Sequence, residues 1–212
     1  MTSTSWVRLC EGNARWASGG SAADGGRGAV RRAELIGSQA PFALVLGCAD
    51  SRVPAEILFD QGLGDLFVVR TAGHVVDAAV LGSVEYAISV LGASLIVVLG
   101  HEGCGAVAAA AHLVDDGDVP PGYIADIAQC IAPNVVRARD AGADTLSAVG
   151  AQHSIYTVET LRQRYATIDR AIRQGTVSAV AAQYCLSTGR VAEVAPPELI
   201  LSGALTSTHQ YP

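Results

Sequence analysis

The chain has no apolar run long enough to cross a bilayer. Its best stretch, Tyr86 to Gly100, is uncharged but bounded by Glu85 and His101, and Gly92 divides it into a helix end and a strand; a spanning helix needs about 20 apolar residues. Nothing near the N-terminus resembles a signal peptide, because Arg8, Glu11, Asn13 and Arg15 interrupt the segment from Trp6 to Trp16. Evenly paired cysteines are lacking too. There are five at irregular spacing, which argues against a secreted disulfide framework and makes cytoplasmic residence with reduced thiols the expectation. Clusters of basic residues are missing: 14 Lys+Arg and 20 Asp+Glu are spread along the chain for a net charge of -6. Neither nucleic acid nor a membrane is an expected partner. Repeats are absent, and the only low-complexity segment is the glycine-rich connection from Gly19 to Gly28.

What is present is apolar: 50% of 212 residues, enough for one sizeable core with no composition break to split it. The expected organisation is one domain over 1–212, with an N-terminal helical arm and linker over 1–36, an α/β core over 37–195 and a tail over 196–212. Residues 5–17 carry Trp6, Leu9, Cys10 and Trp16 at helical spacing, an amphipathic helix that covers either its own core or a partner subunit. A short helix from Ala29 to Ile36 is closed by Gly37. Phe42 to Leu46, Leu66 to Arg70, Leu95 to Leu99 and Val177 to Gln183 read as strands. The first shows no period-two alternation, as in a parallel sheet buried on both faces. After the turn from Ser187 to Arg190, Val191 to Val194 returns as an antiparallel edge strand, and Pro196-Pro197 ends the pairing.

Helices are expected from Ala55 to Phe59 behind Pro54, from Ala78 to Leu91 behind the N-cap Asp77, and from Gly105 to Val114. Another runs from Tyr123 to Ile131 and is interrupted by Pro133; one more steps from Ile155 to Ile172 and ends near Gly175, and Ala141 to Gly150 reads as a loop of small residues. The helix bearing Tyr86 is apolar around most of its circumference, so a second layer or another subunit must cover it. Cys10, Cys130 and Cys185 read as small buried apolar side chains. Strands alternating with helices give an α/β fold: a mostly parallel central sheet of four parallel strands plus one antiparallel edge strand, flanked by helices.

Two stretches carry chemistry. Gly47-Cys48-Ala49-Asp50-Ser51-Arg52 follows the first strand and Gly100-His101-Glu102-Gly103-Cys104-Gly105 follows the third. If those strands are parallel neighbours, Cys48, His101 and Cys104 arrive at one sheet edge, where open α/β sheets place their sites. Two thiolates and an imidazole suit Zn²⁺ and leave a fourth position open. Cys104 stands where a helix begins, and the partial positive charge there favours its thiolate. Asp50 either accepts a hydrogen bond from a metal-held hydroxide or binds the metal itself, and a bidentate pair with Arg52 would hold it back.

At these residues the chain closely resembles the β-class carbonic anhydrases, whose C-x-D-S-R and H-x-x-C signatures stand here as Cys48 to Arg52 and His101 to Cys104; the resemblance runs from about Glu11 to Gly189. It implies a zinc lyase that hydrates carbon dioxide to bicarbonate and a proton, with one Zn²⁺ per subunit on Cys48, His101 and Cys104. Asp50 and Arg52 match the dyad that orients the zinc-bound hydroxide. Gln39 matches a bicarbonate-binding glutamine, and Phe67 and Tyr86 match aromatic positions of the carbon dioxide pocket. In the family that pocket is shared between subunits, so a homodimer or homotetramer is implied. Some bacterial members carry tryptophan three residues before the first zinc cysteine, as part of an inhibitory bicarbonate site; Val45 stands there, which is nearer the plant-like subtype. His74 stands where asparagine is frequent, and the resemblance assigns it no role.

Other readings remain open at this point. The same ligands serve relatives that hydrolyse carbon disulfide or carbonyl sulfide, and a zinc closed by Asp50 would make a non-catalytic assembly module. The glycines at 100, 103 and 105 are in the wrong order for a dinucleotide fingerprint. Asp115, Asp116 and Asp118 read as a solvated turn rather than a calcium loop. His112 and His153 are surface or core histidines, or else proton relays.

Overall fold

The computed structural model describes residues 3–21 and 26–194; the tail at 196–212, with Pro196-Pro197, and part of the glycine-rich connection lie outside them. Five strands form one sheet in the order β2-β1-β3-β4-β5: β1 (Ala43–Cys48), β2 (Leu66–Thr71), β3 (Leu95–His101), β4 (Ser178–Tyr184) and β5 (Val191–Glu193). All pairings are parallel except β4 with β5. β1 and β3 are buried along their whole length. The cause lies in their two faces: Ala43, Val45, Leu95, Val97 and Leu99 pack on one side, while Leu44, Leu46, Ile96 and Val98 pack on the other. Both faces need apolar residues, so no alternation survives in the sequence.

Helices α1 (Thr4–Ala17) and α3 (Ala55–Leu58) cover the first face; α4 (Ala78–Ser89), α7 (Leu146–Arg164) and α8 (Ala166–Arg173) cover the second. A third cluster joins α5 (Gly105–Asp115), α6 (Tyr123–Asp140) and α7 around Cys48 and Cys104. The chain leaves β1 for β2 on one side and returns to β3 on the other. In register, Ala43 faces Leu95 and Gly47 faces Leu99, so the C-terminal ends of β1 and β3 lie level at this switch point, where α/β sheets open a crevice.

The arm packs on its own core. Trp6 and Leu9 are buried, Trp6 meets Phe59 edge-on at 6.3 Å, and the indole N–H donates to Glu193 at 3.1 Å. The Asn13 amide donates to the carbonyls of Leu58 (3.0 Å) and Gly189 (2.9 Å) and accepts from the Val191 amide at 2.7 Å, so one side chain ties α1 to α3 and to β5. α2 (Ala29–Glu34) buries no residue. Asp77 caps α4 by accepting from the Val80 amide at 2.8 Å.

Several expectations are corrected. α6 runs through Pro133, because Pro133 and Gln129 lie on its exposed face. The carbonyl that loses its N–H partner there is at the wet side, while Ala128, Ile131, Val135 and Ala138 keep one continuous buried stripe. The loop expected at 141–150 is half helix: the Thr145 hydroxyl accepts from the Ala148 amide at 3.1 Å and starts α7. The single helix expected from Ile155 to Ile172 is two, broken where Tyr165 becomes extended. One extended residue leaves the apolar stripe in phase, so the periodicity could not register it. Cys185 is buried as expected, but Cys10 and Cys130 are exposed, each on the outer face of an amphipathic helix.

Edge strand β2 is only half buried, and Tyr86 of α4, whose ring meets Phe67 of that strand, remains 46% exposed. Among the described residues no helix is long and apolar enough to cross a membrane. At Gly12 the arm leaves no room for a side chain: an added methyl would overlap the backbone carbonyl of Phe59. Gly12→Ala should therefore destabilise the protein by about 2 kcal/mol or more, measured by urea unfolding; wild-type stability would contradict this docking of α1.

Candidate metal centre

Cys48 is the last residue of β1, His101 the last of β3, and Cys104 the residue before α5. Between the last two, Gly103 adopts φ +64°, a left-handed turn that returns the chain so that both reach one point. The ligand atoms of Cys48, His101 and Cys104 all lie within 4.8 Å of one another, and all three residues are buried. The sulfurs are 3.9 Å apart.

The imidazole is oriented from behind. His101 Nδ1 lies 2.8 Å from the Glu102 carbonyl, which can only accept, so Nδ1 carries the proton and Nε2 presents its lone pair to the cluster. That buried Nε2 has no hydrogen-bond partner, a costly arrangement unless a cation sits against it. The two thiols share one proton: the Cys104 thiol, together with the Gly73 amide at 3.3 Å, pushes Cys48 down towards thiolate. Cys104 is correspondingly pushed up by its hydrogen bond to Cys48 and by burial, against the amides of Val107 and Ala106 at the start of α5. A dication would ionise both. Two sulfurs and one imidazole nitrogen are a borderline-soft donor set that can hold a transition-metal ion.

Asp50 stands at the mouth with its Oδ2 4.0 Å from His101 Nε2. Arg52 grips it three times: the amide to Oδ1 at 2.9 Å, Nε to Oδ1 at 2.9 Å and Nη2 to Oδ2 at 2.8 Å. These donors hold the Asp50 carboxyl well below the usual carboxylate range. The turn itself is clamped by Arg70, whose Nε donates to the Cys48 carbonyl (3.0 Å) and whose Nη2 donates to the Asp50 carbonyl (2.6 Å). Sequence reasoning missed Arg70; its pairing opposite Gly47 in the β1–β2 register is the signal that locates it.

The remaining expected site residues stand apart from this cluster. Phe67 and Tyr86 pair with each other, ring centroids 6.2 Å apart, on the β2–α4 side. Gln39 is exposed and lines a cavity of about 610 Å³ with Leu35, Ile36 and Leu63. His112 is also exposed, 3.0 Å from Asp116 at the end of α5, and that carboxylate raises its pKa. His74 and His153 are buried behind the cluster and stack at 4.3 Å; His153 is thus the core histidine that was one of its expected readings, and His74 is the other residue that sequence reasoning left without a role.

The carbonic anhydrase family profile matches residues 43–191. The chain is 50% identical over 186 residues to a carbonic anhydrase of Mycolicibacterium smegmatis, covering 88% of this chain and 90% of that one. The β-carbonic anhydrase of Coccomyxa, solved in complex with acetazolamide, superposes with a TM-score of 0.69 at 27% identity over 95% of this chain and 92% of its own. One of two β-carbonic anhydrases of Sordaria macrospora described as tetrameric superposes with a TM-score of 0.68 at 26% identity, over 78% and 86%. The chain belongs to the β-class carbonic anhydrase family and is an enzyme of that class.

Burial holds His74 and His153 below the ordinary imidazole value of 6.5, and their mutual proximity adds to this at His74. Both are neutral in the fold. Above pH 6.5 they contribute nothing to the pH dependence; as pH falls below it, the unfolded chain binds protons that the folded chain refuses, and stability is lost. His153→Gln removes one such group. Below about pH 6.5 the unfolding free energies should shift in favour of the variant by about 1.4 kcal/mol per pH unit; a difference independent of pH in urea titrations would contradict the neutral burial of His153.

Proposed function

We propose that this chain catalyses the reversible hydration of carbon dioxide to bicarbonate and a proton at a Zn²⁺ held by Cys48, His101 and Cys104, with Asp50 and Arg52 as the orienting dyad. The observation that carries the reading is the buried, unpartnered His101 Nε2 facing two sulfurs, with the Asp50 carboxylate 4.0 Å away. The donor set fits zinc, since two thiolates neutralise the dication and three protein ligands are the count found in catalytic sites. When bound there, zinc supplies hydroxide at neutral pH by lowering the pKa of a water to about 7.

The chain's own residues do the positioning. Asp50, pinned on both oxygens by Arg52, offers a fixed acceptor at the mouth, which restricts how an attacking oxygen turns its lone pair towards the substrate carbon. Arg52 also makes direct ligation by Asp50 costly, because the carboxylate would have to leave three donors. Gln39 binds bicarbonate through its amide, and Phe67 and Tyr86 form an apolar wall. These three stand apart from the cluster within one chain, and Tyr86 is exposed against Phe67 of edge strand β2. The pocket is therefore completed across a homodimer contact, alone or within a tetramer like that of the Sordaria enzyme. Val45 at the position of the inhibitory-site tryptophan places the chain with the plant-like subtype, and five free thiols favour the cytoplasm.

Asp50→Ala should keep its zinc and lose about 10²-fold or more of the hydration rate in stopped-flow assays; wild-type rates at alkaline pH would sink the role given to Asp50. For the wild-type enzyme the hydration rate should rise with pH through neutrality, and a flat profile from acid to alkaline pH would contradict a water-derived nucleophile. Carbon disulfide and carbonyl sulfide, assayed alongside, should be poor substrates.

A further inference from the structure

We propose that His153 is a positioning residue for the metal centre: through the Gly73 backbone it fixes the amide that donates to the Cys48 sulfur. The proposal rests on the metal reading above and deepens it.

A chain of hydrogen bonds leads from α6 to that sulfur. Asn134 Nδ2 lies 2.9 Å from His153 Nδ1, and His153 Nε2 lies 2.9 Å from the Gly73 carbonyl. The carbonyl can only accept, so Nε2 carries the proton and Nδ1 accepts from the Asn134 amide. The Gly73 amide then donates to Cys48 Sγ at 3.3 Å.

The segment needs such a hold. Gly73 has φ +60° and His74 has φ +43°, and a non-glycine residue stays in that region only where its surroundings impose it. A Cβ on Gly73 would lie 2.6 Å from Ile131 Cδ1 and 2.9 Å from Ala106 Cβ, so α5 and α6 close on it and only the bare backbone fits. The His74 ring stacks on His153 at 16°, and its Nδ1 lies 3.3 Å from the Thr157 hydroxyl, which donates to the His153 carbonyl at 2.8 Å. In this way α6 and α7, which supply no ligand, determine where the amide beside the ligand sulfur points. An N–H aimed at a thiolate draws charge from it and fixes its direction; loss of such partners typically weakens metal binding 10–100-fold.

The test uses the full-length protein, zinc affinity by chelator competition, and the sulfur-to-metal charge-transfer band after loading with Co²⁺. His153→Leu keeps bulk and removes the donor; His153→Gln places an amide N–H near the position of Nε2. Affinity should fall about 10–100-fold in His153→Leu with a displaced charge-transfer band, and His153→Gln should recover most of both. Asn134→Ala should move affinity and band in the same direction by a smaller factor, which keeps the test decisive if His153→Leu does not fold. Wild-type affinity and an unmoved band in His153→Leu or Asn134→Ala would overturn the proposal, as would a His153→Gln variant no nearer to wild type than the leucine variant. Failure of the wild-type protein itself to take up either metal would instead sink the metal reading, and the positioning role with it.

Discussion

Two sulfur atoms 3.9 Å apart in a buried site cannot both carry charge unaided. At an effective dielectric of about 20, two unit charges at that distance repel by about 4 kcal/mol, and the protein alone answers by leaving one proton on Cys104. A dication would remove the conflict and would also give the orphaned His101 Nε2 its partner. Much of the fold serves to create this conflict. β1 and β3 lie side by side in level register, α5 begins at Cys104, and Gly103 turns the chain between His101 and Cys104. The two apolar layers make that arrangement stiff, with Leu44, Leu46, Ile96 and Val98 on one face of the same strands and Val45, Val97 and Leu99 on the other.

Around Cys48, His101 and Cys104 the backbone is governed by arginine and histidine. Arg52 holds the Asp50 side chain, Arg70 holds the carbonyls of Cys48 and Asp50, and His153 holds the Gly73 carbonyl. Each holds the chain next to a cluster residue rather than the cluster itself. The division follows burial: the two arginines lie on the exposed side, where a charge is tolerated, and a neutral imidazole serves the dry side.

The parts of this arrangement that are local in sequence were legible in it. Cys48 to Arg52 and His101 to Cys104 are contiguous signatures behind continuous apolar runs, and Asp77 and Gly92 mark the ends of α4 as their residue types suggest. Contacts brought together by tertiary packing were not legible. Gly73 meets Cys48 across 25 residues and His153 meets Gly73 across 80, and no periodicity carries such distances. Pro133 misled because breaking a helix depends on which face the proline occupies, and Tyr165 because one extended residue left the stripe of Leu161 and Ile168 in phase. Gln39, Phe67 and Tyr86 were named from the resemblance alone, and a single chain does not gather them.

The account stands most directly on what surrounds the metal. Zinc content with X-ray absorption at the zinc edge should give one zinc per chain, with two sulfurs at about 2.3 Å, one imidazole nitrogen at about 2.0–2.1 Å and one further light atom. That light atom should persist in Asp50→Ala, as expected for water rather than carboxylate. A chain without zinc, or a shell that loses its fourth atom when Asp50 is removed, would contradict the proposed open catalytic site.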